Sequence, residues 1–147
     1  MKIIAILIGL LATFNLCPNE KIEISSDSGN IEVSISGIKS EKGQIVVMLF
    51  NKEDGFPREV NKSYKTGIIK EFTSTATYIF RNIPYGTYAV VIFHDENRDG
   101  EIETNFIGIP KEPVGALNLS KRSKPSFNKC SFKFREMIKN LEIKFII

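Results

Sequence analysis

The residues best suited to chemistry in this sequence lie close together. In "HDENRDGEIETN", His94 to Asn105, the side chains of Asp95, Asn97 and Asp99 alternate, and Gly100 follows at once. Oxygen donors at alternate positions of a tightly curled loop can converge on one point. That arrangement suits calcium, which takes about six to eight oxygens at ~2.3–2.6 Å and accepts carboxylate, amide and backbone donors alike. The glycine supplies the torsions that the curl requires. Glu101 and Glu103 add further carboxylates, so the candidate ligands are Asp95, Asn97, Asp99, Glu101 and Glu103. Asn105 and Glu112 are alternatives for completing the shell, and Ile102 is expected to tuck into the core and close the loop. The pattern departs from an EF-hand. Where that motif ends in a bidentate glutamate this chain has Phe106, and the run before the loop, "TYAVVIF", reads as a strand. A site of this kind is expected to be structural and to bind calcium weakly, near ~10⁻⁴–10⁻³ M. The competing reading is a polar turn, because Asp, Asn and Gly bond their own backbone and tolerate left-handed conformations.

His94 is the one histidine and stands beside Asp95, which invites a general-base reading. No nucleophile accompanies the pair: Ser120, Ser123 and Ser126 are scattered through a basic stretch without a nucleophile elbow. Zinc would require three or four histidine or cysteine ligands, and the chain offers one histidine, His94, and one usable cysteine, Cys130. By alternation His94 shares a face with Tyr88, Val90 and Ile92. It is expected to close one end of the fold by bonding a loop carbonyl. Four acids in one turn are too crowded to flank a glycosidic bond at the ~5–9.5 Å that such hydrolysis uses. The absence of tryptophan weakens a sugar-stacking platform, although Tyr64, Tyr78, Tyr85 and Tyr88 remain. The expectation is a non-enzymatic protein. A hydrolase using His94 with Asp95 and a carbohydrate-binding module stand as the alternatives.

The elements that must position these residues are strands. Past residue 28 the apolar pattern has a period of two nearly throughout. "NIEVSISG" (Asn30–Gly37) alternates Ile31, Val33 and Ile35 with polar residues, and "QIVVMLFN" (Gln44–Asn51) follows after a polar, glycine-containing connection. The two are expected to pair as a hairpin. "ATYIFRNI" (Ala76–Ile83) and "GTYAVVIFHD" (Gly86–Asp95) come next. "SFNKCSFKFR" and "LEIKFII" form a last pair of alternating runs, with "EMIKN" as their turn. In the first of these Cys130, Phe132 and Phe134 share one face, which makes Cys130 a small core residue. "PREVNKSYKTGIIKEF" is the nearest approach to a helix, but Gly67 and its β-branched residues argue against one. About seven short strands with glycine and proline punctuation predict an all-β fold, an antiparallel β-sandwich, as one domain over 28–147.

Two connections are long for a compact domain: Asn51–Gly67, which contains "GFP" at Gly55–Pro57, and Asp95–Ser126. Together they are expected to form a recognition end, with Pro110 and Pro113 stiffening "GIPKEPVG". The segment "SKRSKP" (Ser120–Pro125) is a local positive patch.

Composition agrees with a folded domain. The 147 residues are 42% hydrophobic and 25% charged, and the net charge of +3 is too small and too well mixed to predict nucleic-acid binding. The N-terminus is different. Lys2, the apolar run Ile3–Ala12 and a polar exit read as an export leader over 1–19, too short for a permanent membrane span. Cys17 is a candidate for lipid modification, although Phe14, Asn15 and Leu16 before it depart from a good lipobox. A Cys17–Cys130 disulfide is the alternative use of the two thiols. The protein is thus expected to be exported, whether periplasmic, secreted or attached to the envelope. Its partner would be an envelope protein or glycan, and its only membrane contact the leader or a lipid on Cys17.

"IPYGTYAVVIFHDENRDGEIETNFIGIPKEPVG" resembles the signature of the bacterial domain-of-unknown-function 2141 family. The matching residues are Pro84, Gly86, Tyr88, Ala89, His94, Asp95, Asn97, Asn105, Gly108, Ile109, Pro110 and Glu112, with the upstream "GQIVVMLFNKEDGFP" also similar. Past the glutamate, "PVGALN" keeps Gly115 and Asn118 but lacks the family's aromatic and serine. The resemblance implies an exported β-sandwich of transthyretin-like or immunoglobulin-like type. It brings no activity, substrate or cofactor with it.

Overall fold

A computed structural model describes residues 27–120 and 123–146; the expected leader and Cys17 lie outside the described residues. Eight strands follow one another: β1 (Ser28–Ser36), β2 (Gln44–Phe50), β3 (Lys65–Ile69), β4 (Thr75–Pro84), β5 (Gly86–Asp95), β6 (Val114–Ala116), β7 (Ser131–Phe134) and β8 (Ile138–Lys144). One sheet runs β4-β1-β8, and the other runs β3-β2-β5. On its far side β5 pairs with β7 along its first half and with β6 along its second. All pairings are antiparallel except β1 with β8.

The expected β1–β2 hairpin does not form. β1 pairs with β4 and β8, and β2 pairs with β3 and β5, so the two strands lie in different sheets. A short polar connection permits a hairpin but equally permits a step from one sheet to the other. The final pair divides in the same way, with β7 on β5 and β8 on β1; Ile138–Asn140, expected in a turn, already belong to β8. Each long connection also contains a strand, β3 in the first and β6 in the second. Both are short, and β3 buries only Gly67 fully, so neither shows a run of alternating apolar residues.

Ile31, Val33 and Ile35 of β1 meet Ile45, Val47 and Leu49 of β2 and Val90 and Ile92 of β5 between the sheets, with Phe134, Leu141 and Ile143. β2 and β5 are buried on both faces, and for that reason they read as continuous apolar runs. Their outward residues, Val46, Met48, Phe50, Ala89, Val91 and Phe93, form a second cluster with Val114, Ala116, Phe127 and Cys130. No sheet covers this face. Phe56, Val60, Ile102 and Leu119, all from the long connections, pack over it. Fully burying a side chain the size of Phe50 or Phe93 contributes about 1.5–3 kcal/mol, so the connections are part of the core. Phe56, whose bond to Pro57 is cis, lies edge-on to Phe50 and Phe127.

Cys130 is buried as expected, but it ends a helical turn, Phe127–Cys130, and belongs to the outer cluster, whereas Phe134 lies between the sheets. The change from helical turn to strand at Ser131 breaks the shared face that alternation implied. Burial pushes the Cys130 thiol up, away from reactivity.

Candidate cation-binding loop and its anchors

β5 delivers His94 and Asp95 as its last two residues, and successive strand residues point to opposite faces. His94 turns inward beneath the rings of Phe72 and Phe145. Its Nε2 donates to the Lys42 carbonyl at 2.7 Å, the loop-carbonyl bond expected for it. Asp95 turns the other way and is fully buried. Its Oδ2 accepts from Gln44 Nε2 at 2.8 Å and from the Gly100 N–H at 2.9 Å, and its Oδ1 accepts from the Asp99 N–H at 3.2 Å. Between these two anchors, Arg98 donates to the Gly43 carbonyl through Nε and Nη2 at 3.3 and 3.2 Å. Three successive residues, Lys42, Gly43 and Gln44, therefore hold the base of the loop. Gly43 has to be glycine. Its φ is +76°, and a Cβ there would collide with the Asp95 carbonyl and the Glu96 backbone.

Within the loop the alternating side chains bond the backbone that follows them. Asn97 Oδ1 accepts from the Asp99 N–H at 3.1 Å, and Asp99 Oδ1 accepts from the Glu101 N–H at 2.8 Å. Asn97 Nδ2 donates to Asp99 Oδ2 at 2.7 Å. Arg98 and Gly100 take the left-handed torsions, with φ of 62° and 76°. Ile102 packs onto the outer cluster, as its place in the sequence implied.

The loop thus gathers Asp95, Asn97 and Asp99, but it does not gather all five candidate ligands. Glu103 is exposed and pairs with Lys111 at 3.3 Å, and Glu101 is exposed. Among the described residues no three His, Cys, Asp or Glu side chains are assembled as a metal cage. Asn105 is also occupied elsewhere, because its Oδ1 accepts from the N–H groups of Ile107 and Ile109. Glu112 is different. Its Oε2 is buried with no hydrogen-bond partner. Desolvation, with the charges of Asp95 and Asp99 and a smaller push from Glu103, raises its pKa to about 7, while the Glu96 N–H works in the opposite direction. Glu112 is the acid that faces the loop, and spacing alone could not choose it. Gln44 was not foreseen at all; a polar residue heading an otherwise apolar strand was its only sequence signal.

Beyond the loop, residues 104–110 close a small hairpin. Thr104 bridges Pro110, the Asn105 N–H donates to the Ile109 carbonyl, and the Gly108 N–H donates to the Asn105 carbonyl. Arg58 of the first long connection then donates from Nη2 to the Gly108 carbonyl at 2.7 Å. The two connections do meet, as expected. They meet over the outer face of the second sheet, through the same packing that buries Phe56 and Ile102.

The family model for uncharacterized proteins conserved in bacteria, DUF2141, matches residues 33–142. The chain belongs to that family. Neither curated proteins nor solved structures give a match. For this DUF2141 chain, the residues that carried the resemblance in the sequence now have local physical roles. Tyr88 donates its hydroxyl to the Pro84 carbonyl at 2.9 Å, across Gly86, where an added Cβ would stand 3.1 Å from the Tyr88 ring. His94 and Asp95 anchor the loop base, Asn97 bonds within the loop, and Asn105, Gly108 and Pro110 shape the hairpin. Glu112 is the one whose buried oxygen is left without a bond.

Proposed function

We propose that this protein is an exported, non-enzymatic β-sandwich module of the bacterial cell envelope, with a binding or structural role, and that its loop takes up a structural calcium ion. The ligands would be Asp95, Asn97 and Asp99, with Glu112 as the further carboxylate in place of Glu101 and Glu103. One observation carries the cation reading. Glu112 Oε2 is buried and unpartnered where the charges of Asp95, Asp99 and Glu103 add to one another. A negative potential of that kind next to an orphaned oxygen favours either a proton or a cation, and a divalent ion would satisfy all the carboxylates together. The ion would brace the bend between β5 and the outer-face cover. Export rests on the Lys2 and Ile3–Ala12 leader pattern, and the expected partner is an envelope protein or glycan.

The geometry gives no support to the hydrolase alternative. His94 and Asp95 diverge from the strand, and His94 Nε2 is already engaged by Lys42. Nor do the tyrosines form a sugar platform: Tyr88 is buried, Tyr78 lies over Gly67 and against Phe80, Tyr85 packs on Phe134, and the exposed Tyr64 leans on Tyr88 with no second exposed tyrosine beside it among the described residues. The test is thermal unfolding of chelated protein with and without ~10 mM calcium. At a dissociation constant of ~10⁻⁴–10⁻³ M, mass action raises the melting temperature by roughly 5 °C, and Asp99→Ala or Glu112→Gln removes most of the rise. An unchanged melting temperature would retire the calcium reading.

A further inference from the structure

The outer cover of the second sheet does not close completely. Between the 104–110 hairpin and the segment ending at Pro125 lies a cleft of about 660 Å³, floored by Val91, Val114 and Ala116. That volume falls within the ~300–1,000 Å³ of small-molecule sites. The lip is apolar and uncovered: Ile107 and Ile109 line the cleft although they are 65% and 49% exposed. Among the described residues that line this space there is no Asp or Glu. The charged groups among its described lining residues are Arg58 and Lys124, both exposed, and neither makes an ion pair among the described residues. None of its described lining residues is aromatic either, so a flat aromatic ligand would find no ring among them to stack on.

We propose that this cleft binds a long-chain fatty acid, with the alkyl chain along the aliphatic floor beneath Ile107 and Ile109 and the carboxylate at Arg58 and Lys124. The chemistry matches part by part. Aliphatic walls without aromatic rings fit a flexible alkyl chain, and an occupant there would cover the two exposed isoleucines. Two cations without paired carboxylates fit a single anionic head, and Arg58 is already oriented by its bond to Gly108. The inference rests on the reading of the protein as a binding module. It does not depend on the calcium ion, since Glu112, Asp95 and Asp99 are not among the lining residues.

The test is calorimetric titration of the full chain with dodecanoate below its micelle-forming concentration, beside dodecanol, acetate and anionic phospholipid vesicles. The expected result is saturable one-to-one binding of dodecanoate, with dodecanol about tenfold weaker and acetate silent. Combining Arg58→Gln with Lys124→Gln should bring dodecanoate down to the level of dodecanol. Ile109→Asp, at an exposed position, should abolish binding and leave the melting temperature unchanged. Equal binding of acid and alcohol overturns the proposal, and so does undiminished binding by Ile109→Asp. Binding to vesicles without binding to monomeric dodecanoate overturns it in favour of a lipid surface. Protein that fails to bind dodecanoate but gains stability from calcium overturns this inference alone.

Discussion

On one face of β2 and β5, Ile45, Val47, Leu49, Val90 and Ile92 lie against a second sheet. On the other face, Val46, Met48, Phe50, Val91 and Phe93 lie beneath chain that is mostly irregular. Both faces are dry, yet the two covers differ in kind. The sheet side is closed by repeating backbone pairing, which leaves little freedom in where side chains go. The irregular side is closed by two connections joined to each other through Arg58 and Gly108, the second also held at its base by residues 42–44. That second cover carries the loop acids, the unpartnered Oε2 of Glu112 and the open cleft.

Cutting into the outer cluster should cost as much as cutting into the core between the sheets. Phe93→Ala should destabilise the protein by about 3–5 kcal/mol in denaturant unfolding, similar to the ~2–5 kcal/mol for Leu49→Ala on the sheet side. A loss below ~1 kcal/mol would mean that the connections are a loose cover rather than core. Next in size is the anchor. Asp95→Ala leaves Gln44 Nε2 and the Gly100 N–H without their acceptor, while the Asp99 N–H keeps Asn97 Oδ1, and should lower stability by about 2–3 kcal/mol. Hydrogen exchange should then rise in residues 96–101 while β1 keeps its protection. Uniform loosening of both sheets would contradict the local role of the anchor.

A smaller effect concerns pH. Glu112 is raised from 4.5 to about 7 in the folded chain, so the folded state holds a proton that the unfolded state releases in that window. The stability contributed by that proton is complete below about pH 4.5 and is lost as pH rises through about 7. In calcium-free buffer at pH 8, Glu112→Gln should therefore be more stable than wild type by about 1 kcal/mol, allowing for partial exposure, and the difference should shrink towards pH 4.5. Equal stabilities across that range would remove the electrostatic case for Glu112. The smallest effect belongs to the hairpin tip: Phe106→Ser, at a fully exposed ring, should change stability by less than about 0.5 kcal/mol.

What could be read in the sequence follows the same division. β1, β2, β4 and β5 announce themselves because alternation, or a continuous apolar run, is the direct mark of burial on one or two faces. The sheet to which each strand belongs leaves no such mark, so the expected β1–β2 hairpin gave way to two separate sheets. β3 and β6 escape notice because five and three residues are too few to show a period. In the site, Asp95, Asn97 and Asp99 were legible through their spacing, and the inward face of His94 through alternation. Gln44 and Glu112 reach the loop only through pairing and chain reversal, 51 residues before Asp95 in the first case, and local spacing cannot encode contacts of that range.

We propose that the carboxylates around Glu112 share a divalent ion. Sharing of the ion is tested most directly by titrating calcium into chelated protein near pH 6.5 in two buffers of different ionisation enthalpy. Binding of one ion per chain with release of a fraction of a proton from Glu112, and loss of that release in Glu112→Gln, is the predicted result. Saturable heat without any buffer dependence, or no heat at millimolar calcium, would contradict it.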